Sequence, residues 1–201
     1  MIIFEDKNLI VVNKPSGLLA VAGRGEDKKD SVEERIKAIY KTAAAIHRLD
    51  METSGIMLLA KHKEAERFYK ICFEKRLVFK KYLAVCEGVL EADEGILDFP
   101  IISDWENRPK QKVDFERGKP SITKFKVLER RENQTLLALF PLTGRTHQLR
   151  LHLSHINHPI LGDSLYSQNS FLYKRLFLHC QQMAIPNFNG EDFYFFVKEE
   201  F

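Results

Sequence analysis

One aspartate stands where chemistry is possible. Asp50 lies in His47-Arg48-Leu49-Asp50-Met51-Glu52-Thr53-Ser54-Gly55, between basic residues and an apolar run. In such a turn a carboxylate ordinarily accepts local backbone N–H groups. Two more residues give it company. Tyr82 follows Lys81 at the start of an apolar strand pattern, where a tyrosine is ordinarily an amphipathic core residue. Arg150 lies in Gly144-Arg145-Thr146-His147-Gln148-Leu149-Arg150-Leu151-His152. If Thr146 caps a helix whose inward face carries Leu149 and Leu153, Arg150 falls one step from that stripe, at the boundary of core and cleft. An arginine there is either a snorkelling surface cation or the partner of a carboxylate. Hydrolysis of a glycoside would require a positioned pair of acids, and Glu52 is the one second acid near Asp50.

Four histidines, His147, His152, His155 and His158, raise the question of a metal. Only His152 and His155 share a helical face, no HExxH pattern is present, and Cys or carboxylate ligands are not nearby. No metal site is expected, and basic, hydrogen-bonding residues for a phosphate-lined surface account for the cluster better.

The elements that must carry these residues are readable in outline. Leu9 to Asn13 reads as a strand entering the turn Lys14-Pro15-Ser16-Gly17, followed by a charged loop around Gly23 to Lys29. Ser31, three before Glu34, predicts a capped helix running through about Tyr40 with Val32, Ile36 and Ile39 as its stripe. Ile56 to Ala60 reads as a buried strand and His62 to Arg76 as a helix carrying Ala65, Phe68, Tyr69, Cys72 and Phe73. Further strands are expected at Lys81 to Cys86, Phe125 to Leu128, Thr135 to Leu142, Phe177 to Ile185 and Phe193 to Val197, with a helix from Thr146 to Ile156. The fold class is therefore α+β, one domain over residues 1–201 on a mostly antiparallel mixed β-sheet with flanking helices and loops.

Composition bounds the function. The 201 residues are 44% hydrophobic and 29% charged, ordinary for a globular chain. Cys72, Cys86 and Cys180 are odd in number and far apart, so they read as core thiols in a reducing compartment. No signal pattern or membrane-length apolar run is present, and a cytoplasmic protein with no membrane association is expected. The formal charge is only +3, but its distribution is uneven. Residues 104–131 hold nine basic residues (Arg108, Lys110, Lys112, Arg117, Lys119, Lys124, Lys126, Arg130, Arg131) against five acidic ones, whereas Glu191, Asp192, Glu199 and Glu200 make the C-terminus acidic.

Taken together, Asn13-Lys14-Pro15-Ser16-Gly17, His47-Arg48-Leu49-Asp50 with Thr53-Ser54-Gly55, Tyr82, the Gly144 to His152 run and His158-Pro159-Ile160-Leu161-Gly162-Asp163 resemble, in order and spacing, the RluA-type pseudouridine synthases. The resemblance covers nearly the whole chain, and several independent motifs agree. The stretch Asp104-Trp105-Glu106-Asn107-Arg108-Pro109-Lys110-Gln111-Lys112-Val113 is similar to the branch acting on both large-subunit (23S) ribosomal RNA and transfer RNA stem-loops.

The resemblance implies the pseudouridine synthase fold without an N-terminal S4 domain, no cofactor, RNA as the partner and no obligate protein partner. It implies Asp50 as the essential carboxylate, acting as nucleophile or as the base that starts glycosidic cleavage. Arg150 would pair with it, and Tyr82 would stack on the target base and remove or relay the C5 proton. Arg48 would fill the space left by the flipped base, with His47 in support. Arg108, Lys110, Lys112, Arg145 and His147 would contact RNA. Trp105 is expected to anchor its loop by packing. A catalytically idle RNA-binding module on the same scaffold is the alternative.

Overall fold

The computed structural model describes residues 1–25, 28–199 and 201. Glu26 and Asp27, within the charged loop expected around Gly23 to Lys29, and Glu200 of the acidic C-terminus lie outside the described residues. The chain is mixed α+β, with mostly antiparallel strands and few helices, and it divides into two compact units. Residues 1–80 with 180–200 form the first unit, and residues 81–179 with Phe201 the second.

The first unit is built on β1 (Ile2–Glu5), β2 (Leu9–Lys14) and β4 (Ser54–Ala60), which pair antiparallel in that order, with short β3 (Ala44–Ala45) also on β4. Every residue of β4 is buried, which explains its unbroken apolar sequence. β11 (Leu178–Asn187) and β12 (Gly190–Phe196) form a hairpin whose greater part belongs to this unit.

Helix α1 (Val32–Lys37) starts as expected: the Ser31 side chain accepts the Glu34 N–H at 3.2 Å. It stops earlier than its apolar stripe suggested, and Ile39 is left 66% exposed beyond its end. Helix α2 (Lys63–Glu74) is capped by the His62 ring and buries Ala65, Tyr69 and Cys72.

The second unit centres on β5 (Phe79–Glu87), β10 (Gln134–Pro141), β9 (Ile122–Arg131) and β6 (Glu94–Asp98), each antiparallel to the next. Leu83 to Cys86 and Leu137 to Leu139 supply its core, joined by Leu149 and Leu153 of α3 (Gln148–His155). Strands β6, β7 (Ile101–Ser103) and β8 (Gln111–Val113) were not expected from the sequence; β6 and β7 precede the basic segment and β8 lies within it. β7 and β8 form a separate two-stranded hairpin, so the residues 104–110 are its tip. All three cysteines are buried as free thiols.

Candidate active site

The Asp50 turn is fixed from beneath by a buried lysine. The Asp50 carbonyl accepts the Thr53 N–H at 3.1 Å, which closes the turn. Lys14, with no solvent exposure, donates through Nζ to the carbonyls of Pro15 (2.9 Å), Leu18 (2.6 Å) and Met51 (2.8 Å). Its neighbours add two further ties: Ser16 Oγ donates to the Glu52 carbonyl at 2.6 Å and the Gly17 N–H to the Met51 carbonyl at 2.9 Å. A buried ammonium is tolerated only where its donors are satisfied, and here they are spent on the lysine's own turn and on the Met51 carbonyl next to Asp50. The Lys14-Pro15-Ser16-Gly17 turn is thus the seat of the aspartate loop.

Gly55 ends that loop for two physical reasons. Its φ of +109° is a conformation that L side chains rarely adopt, and a Cβ there would collide with the Cys180 backbone. Close contact between the start of β4 and the chain at Cys180 therefore requires glycine.

His47 and Arg48, adjacent in sequence, do different things. The His47 ring stacks on Phe73 with centroids 4.7 Å apart, and its Nε2 accepts the Leu58 N–H at 3.0 Å. Burial pushes its pKa down to about 3, with the Lys80 charge acting in the same direction, so the ring is neutral and serves the framework. Arg48 is exposed, and Asp50 is half-buried beside it.

In the second unit Tyr82 is almost fully buried on β5, opposite Leu139 of β10. Arg150 sits deeper than the boundary position expected for it. It is 2% exposed, and its fork holds Asp163 through Nε to Oδ2 at 2.8 Å and Nη2 to Oδ1 at 2.6 Å. Asp163 also receives the N–H groups of Leu165 (3.0 Å) and Tyr166 (3.1 Å), so this buried carboxylate has four donors. The arginine's need for an acid was legible; the role of Asp163, quoted only as part of a motif, was not.

The start of α3 also differs from expectation. Thr146 is exposed and is not the cap; His147 holds the cap position at φ +53° and makes no capping bond with its side chain. Gln148 organises this end instead. Its Oε1 accepts from Thr143 Oγ1 (2.7 Å) and the Arg145 N–H (3.0 Å), while its Nε2 donates to the Ile122 carbonyl and Thr123 Oγ1, both at 3.0 Å. His152 is fully buried with Nε2 3.0 Å from the Phe99 carbonyl, and burial lowers its pKa to about 4. His155 packs edge-on against Phe99 at 4.5 Å. The two histidines that share a helical face are thus engaged in packing the segment leading to β7.

The basic residues divide. Arg108, Lys110 and Lys112 are exposed on the β7–β8 hairpin, and Arg145 is exposed with Nε 3.3 Å from the Pro120 carbonyl. His147 is half-buried, its Nδ1 3.0 Å from the Tyr166 hydroxyl. By contrast Arg130 is tied to the Leu90 and Glu91 carbonyls and to Asp93, and Arg131 to Glu129. Within this segment Arg130 and Arg131 are thus internally paired, while Arg108, Lys110 and Lys112 on the hairpin and Lys119, Lys124 and Lys126 beyond it are exposed. Trp105 corrects the expectation of packing: it is 69% exposed, with the Arg108 guanidinium 3.4 Å from its ring centroid.

Comparison with known proteins gives this arrangement its context. Residues 8–155 match the family model for RNA pseudouridylate synthase. The dual-specificity RNA pseudouridine synthase RluA of Yersinia pestis is 46% identical over 206 residues, covering 100% of both chains. Its counterpart from Escherichia coli strain K12 is 46% identical over 190 residues, covering 93% of this chain and 87% of the relative. Among solved structures, human RNA pseudouridylate synthase domain containing 1 superposes with a TM-score of 0.84 at 28% identity, covering 98% of this chain and 82% of that one. A matched domain over most of the chain, together with end-to-end identity to RluA enzymes, shows that the chain belongs to the RNA pseudouridylate synthase family, in its RluA branch.

Proposed function

We propose that this protein isomerises specific uridines to pseudouridine in stem-loops of 23S ribosomal RNA, of transfer RNA anticodon arms, or of both, and that residues 1–201 act as one catalytic domain in the cytoplasm. The observation that carries the reading is the end-to-end match, at 46% identity, to a dual-specificity RNA pseudouridine synthase. Detaching uracil at N1, turning it and rejoining it through C5 involves no redox change and no external group, so the reaction needs no cofactor.

In this reading Asp50 supplies the carboxylate that attacks as nucleophile or begins cleavage as base. The chain's contribution is to position this carboxylate, and the Lys14 seat supports that role. Arg150 orients Asp50, its own planar fork steadied by Asp163. Tyr82 stacks on the base and takes or relays the C5 proton. A stacked uridine has to leave the helix first, at a cost on the order of a few kcal/mol, and exposed Arg48 fills the vacated space. Arg108, Lys110, Lys112, Arg145 and His147 hold the RNA backbone and loop, with His47 supporting the catalytic turn.

The test uses RNA tritiated at uridine C5, since rejoining through C5 releases the label. The wild type is expected to release tritium and the Asp50→Asn variant to release none while still binding RNA. Binding without release by the wild type would instead identify an idle RNA-binding module, and free uracil a hydrolase.

A further inference from the structure

We infer that Tyr166 is a positioning residue that latches the basic β7–β8 hairpin to helix α3 and so sets the affinity for the RNA stem-loop. This rests on the proposed RNA substrate. A two-stranded hairpin is marginal by itself and takes its direction from what it is tied to. At its base the hairpin is bonded to a following segment, Ile101 and Lys119 exchanging N–H groups and carbonyls at 3.0 and 2.8 Å. On the β8 side its tie is the Tyr166 hydroxyl, which accepts the Gln111 N–H at 2.8 Å and stands 3.0 Å from His147 Nδ1.

Gln111 is the residue immediately after the tip that carries Arg108 and Lys110, and it opposes Ser103 across the hairpin. A single hydroxyl thus joins the backbone at the root of the basic tip to the left-handed residue that caps α3. The other end of Tyr166 is equally constrained. Its N–H is held by Asp163, the acid that clasps Arg150, and the Arg150 guanidinium lies 5.6 Å from its ring centroid. Tyr166 therefore sets the hairpin in register with the arginine proposed to orient Asp50. The residue lies outside every motif that marked the sequence.

The experiment measures RNA affinity in the Asp50→Asn background, where binding is read without turnover. Loss of one well-formed hydrogen bond predicts that Tyr166→Phe weakens binding of a stem-loop about fivefold. The same substitution made beside Arg108→Ala and Lys110→Ala should weaken binding less than twofold, because the tip it positions no longer holds RNA. With Asp50 restored, the single-turnover rate at saturating RNA should fall less than the affinity does. An equal loss in both backgrounds, or no loss in either, overturns the latch, as does a fall in rate with affinity unchanged. Failure of the wild type to release tritium would overturn the proposed reaction and leave this binding comparison intact.

Discussion

A lysine donating to three carbonyls and an aspartate receiving four donors do the structural work beneath the catalytic candidates. Lys14 is the clearer case, because its stem has no solvent exposure and one of its acceptors, Met51, follows Asp50 directly. A methionine at this position would keep the volume and lose the donors, leaving the Pro15 and Leu18 carbonyls to find other partners and the Met51 carbonyl with its Gly17 N–H alone. Unsatisfied buried acceptors cost about 1–3 kcal/mol each, partly recovered by relaxation and water. Lys14→Met should therefore lower the unfolding free energy by about 2–4 kcal/mol, visible as a lower urea midpoint at unchanged slope. Turnover should fall further than this stability loss accounts for when measured where the variant is still folded, since the carbonyl next to Asp50 loses one of its two ties and keeps only the Gly17 N–H. Retention of full turnover would show that the turn holds its shape without the lysine.

Elements were legible where one periodicity governed them and obscure where side chains bonded across the fold. β4 and α2 followed from an unbroken apolar run and a helical stripe, and Ser31 announced α1. α3 misled in two respects, because Gln148 ties down the loop before it while Thr146 is no cap, and because Arg150 is buried with Asp163. Nothing in local spacing reveals a partner that far along the chain. Strands β7 and β8 were missed for a related reason: a short charged hairpin has no apolar alternation to give it away. Trp105 likewise defied its composition by lying open under Arg108.

The histidines of these elements carry a pH signature. His47 and His152 have pKa values lowered from 6.5 to about 3 and about 4, chiefly by burial, so both are neutral in the folded chain at pH 5. Unfolded histidines take up protons below about 6.5. Between pH 6.5 and about 4 the unfolded state therefore binds protons that the folded state refuses, and stability falls as pH falls. The slope has an upper bound of about 1.4 kcal/mol per pH unit for each histidine, and urea unfolding at pH 7 and pH 5 measures it. His152→Gln keeps an N–H for the Phe99 carbonyl but does not titrate there, and should remove its share of the slope; an unchanged slope would mean that His152 is protonated in the fold.

For the molecule as a whole, a formal charge of +3 is too small to attract RNA without being concentrated. The internal pairing of Arg130 and Arg131 takes those two out of the effective cations and leaves Arg108, Lys110 and Lys112 on the hairpin and Lys119, Lys124 and Lys126 after it, with Arg145 and Arg48 exposed elsewhere. Each cation that neutralises a phosphate releases condensed counterions, adding about 0.9 to the slope of log affinity against log salt for duplex and about 0.7 for single strands. Replacing both Arg108 and Lys110 by alanine should consequently flatten that slope by about 1.4–1.8 if each meets one phosphate of a stem-loop. Arg130→Ala, by the same argument, should leave the slope within experimental error, because its charge is already spent on Asp93 and the Leu90 and Glu91 carbonyls. Equal flattening by the two sets of substitutions would show that the positive segment acts as a diffuse field rather than through its hairpin tip. Titrating a fluorescent stem-loop at several salt concentrations, with Asp50→Asn present to hold chemistry still, distinguishes the two.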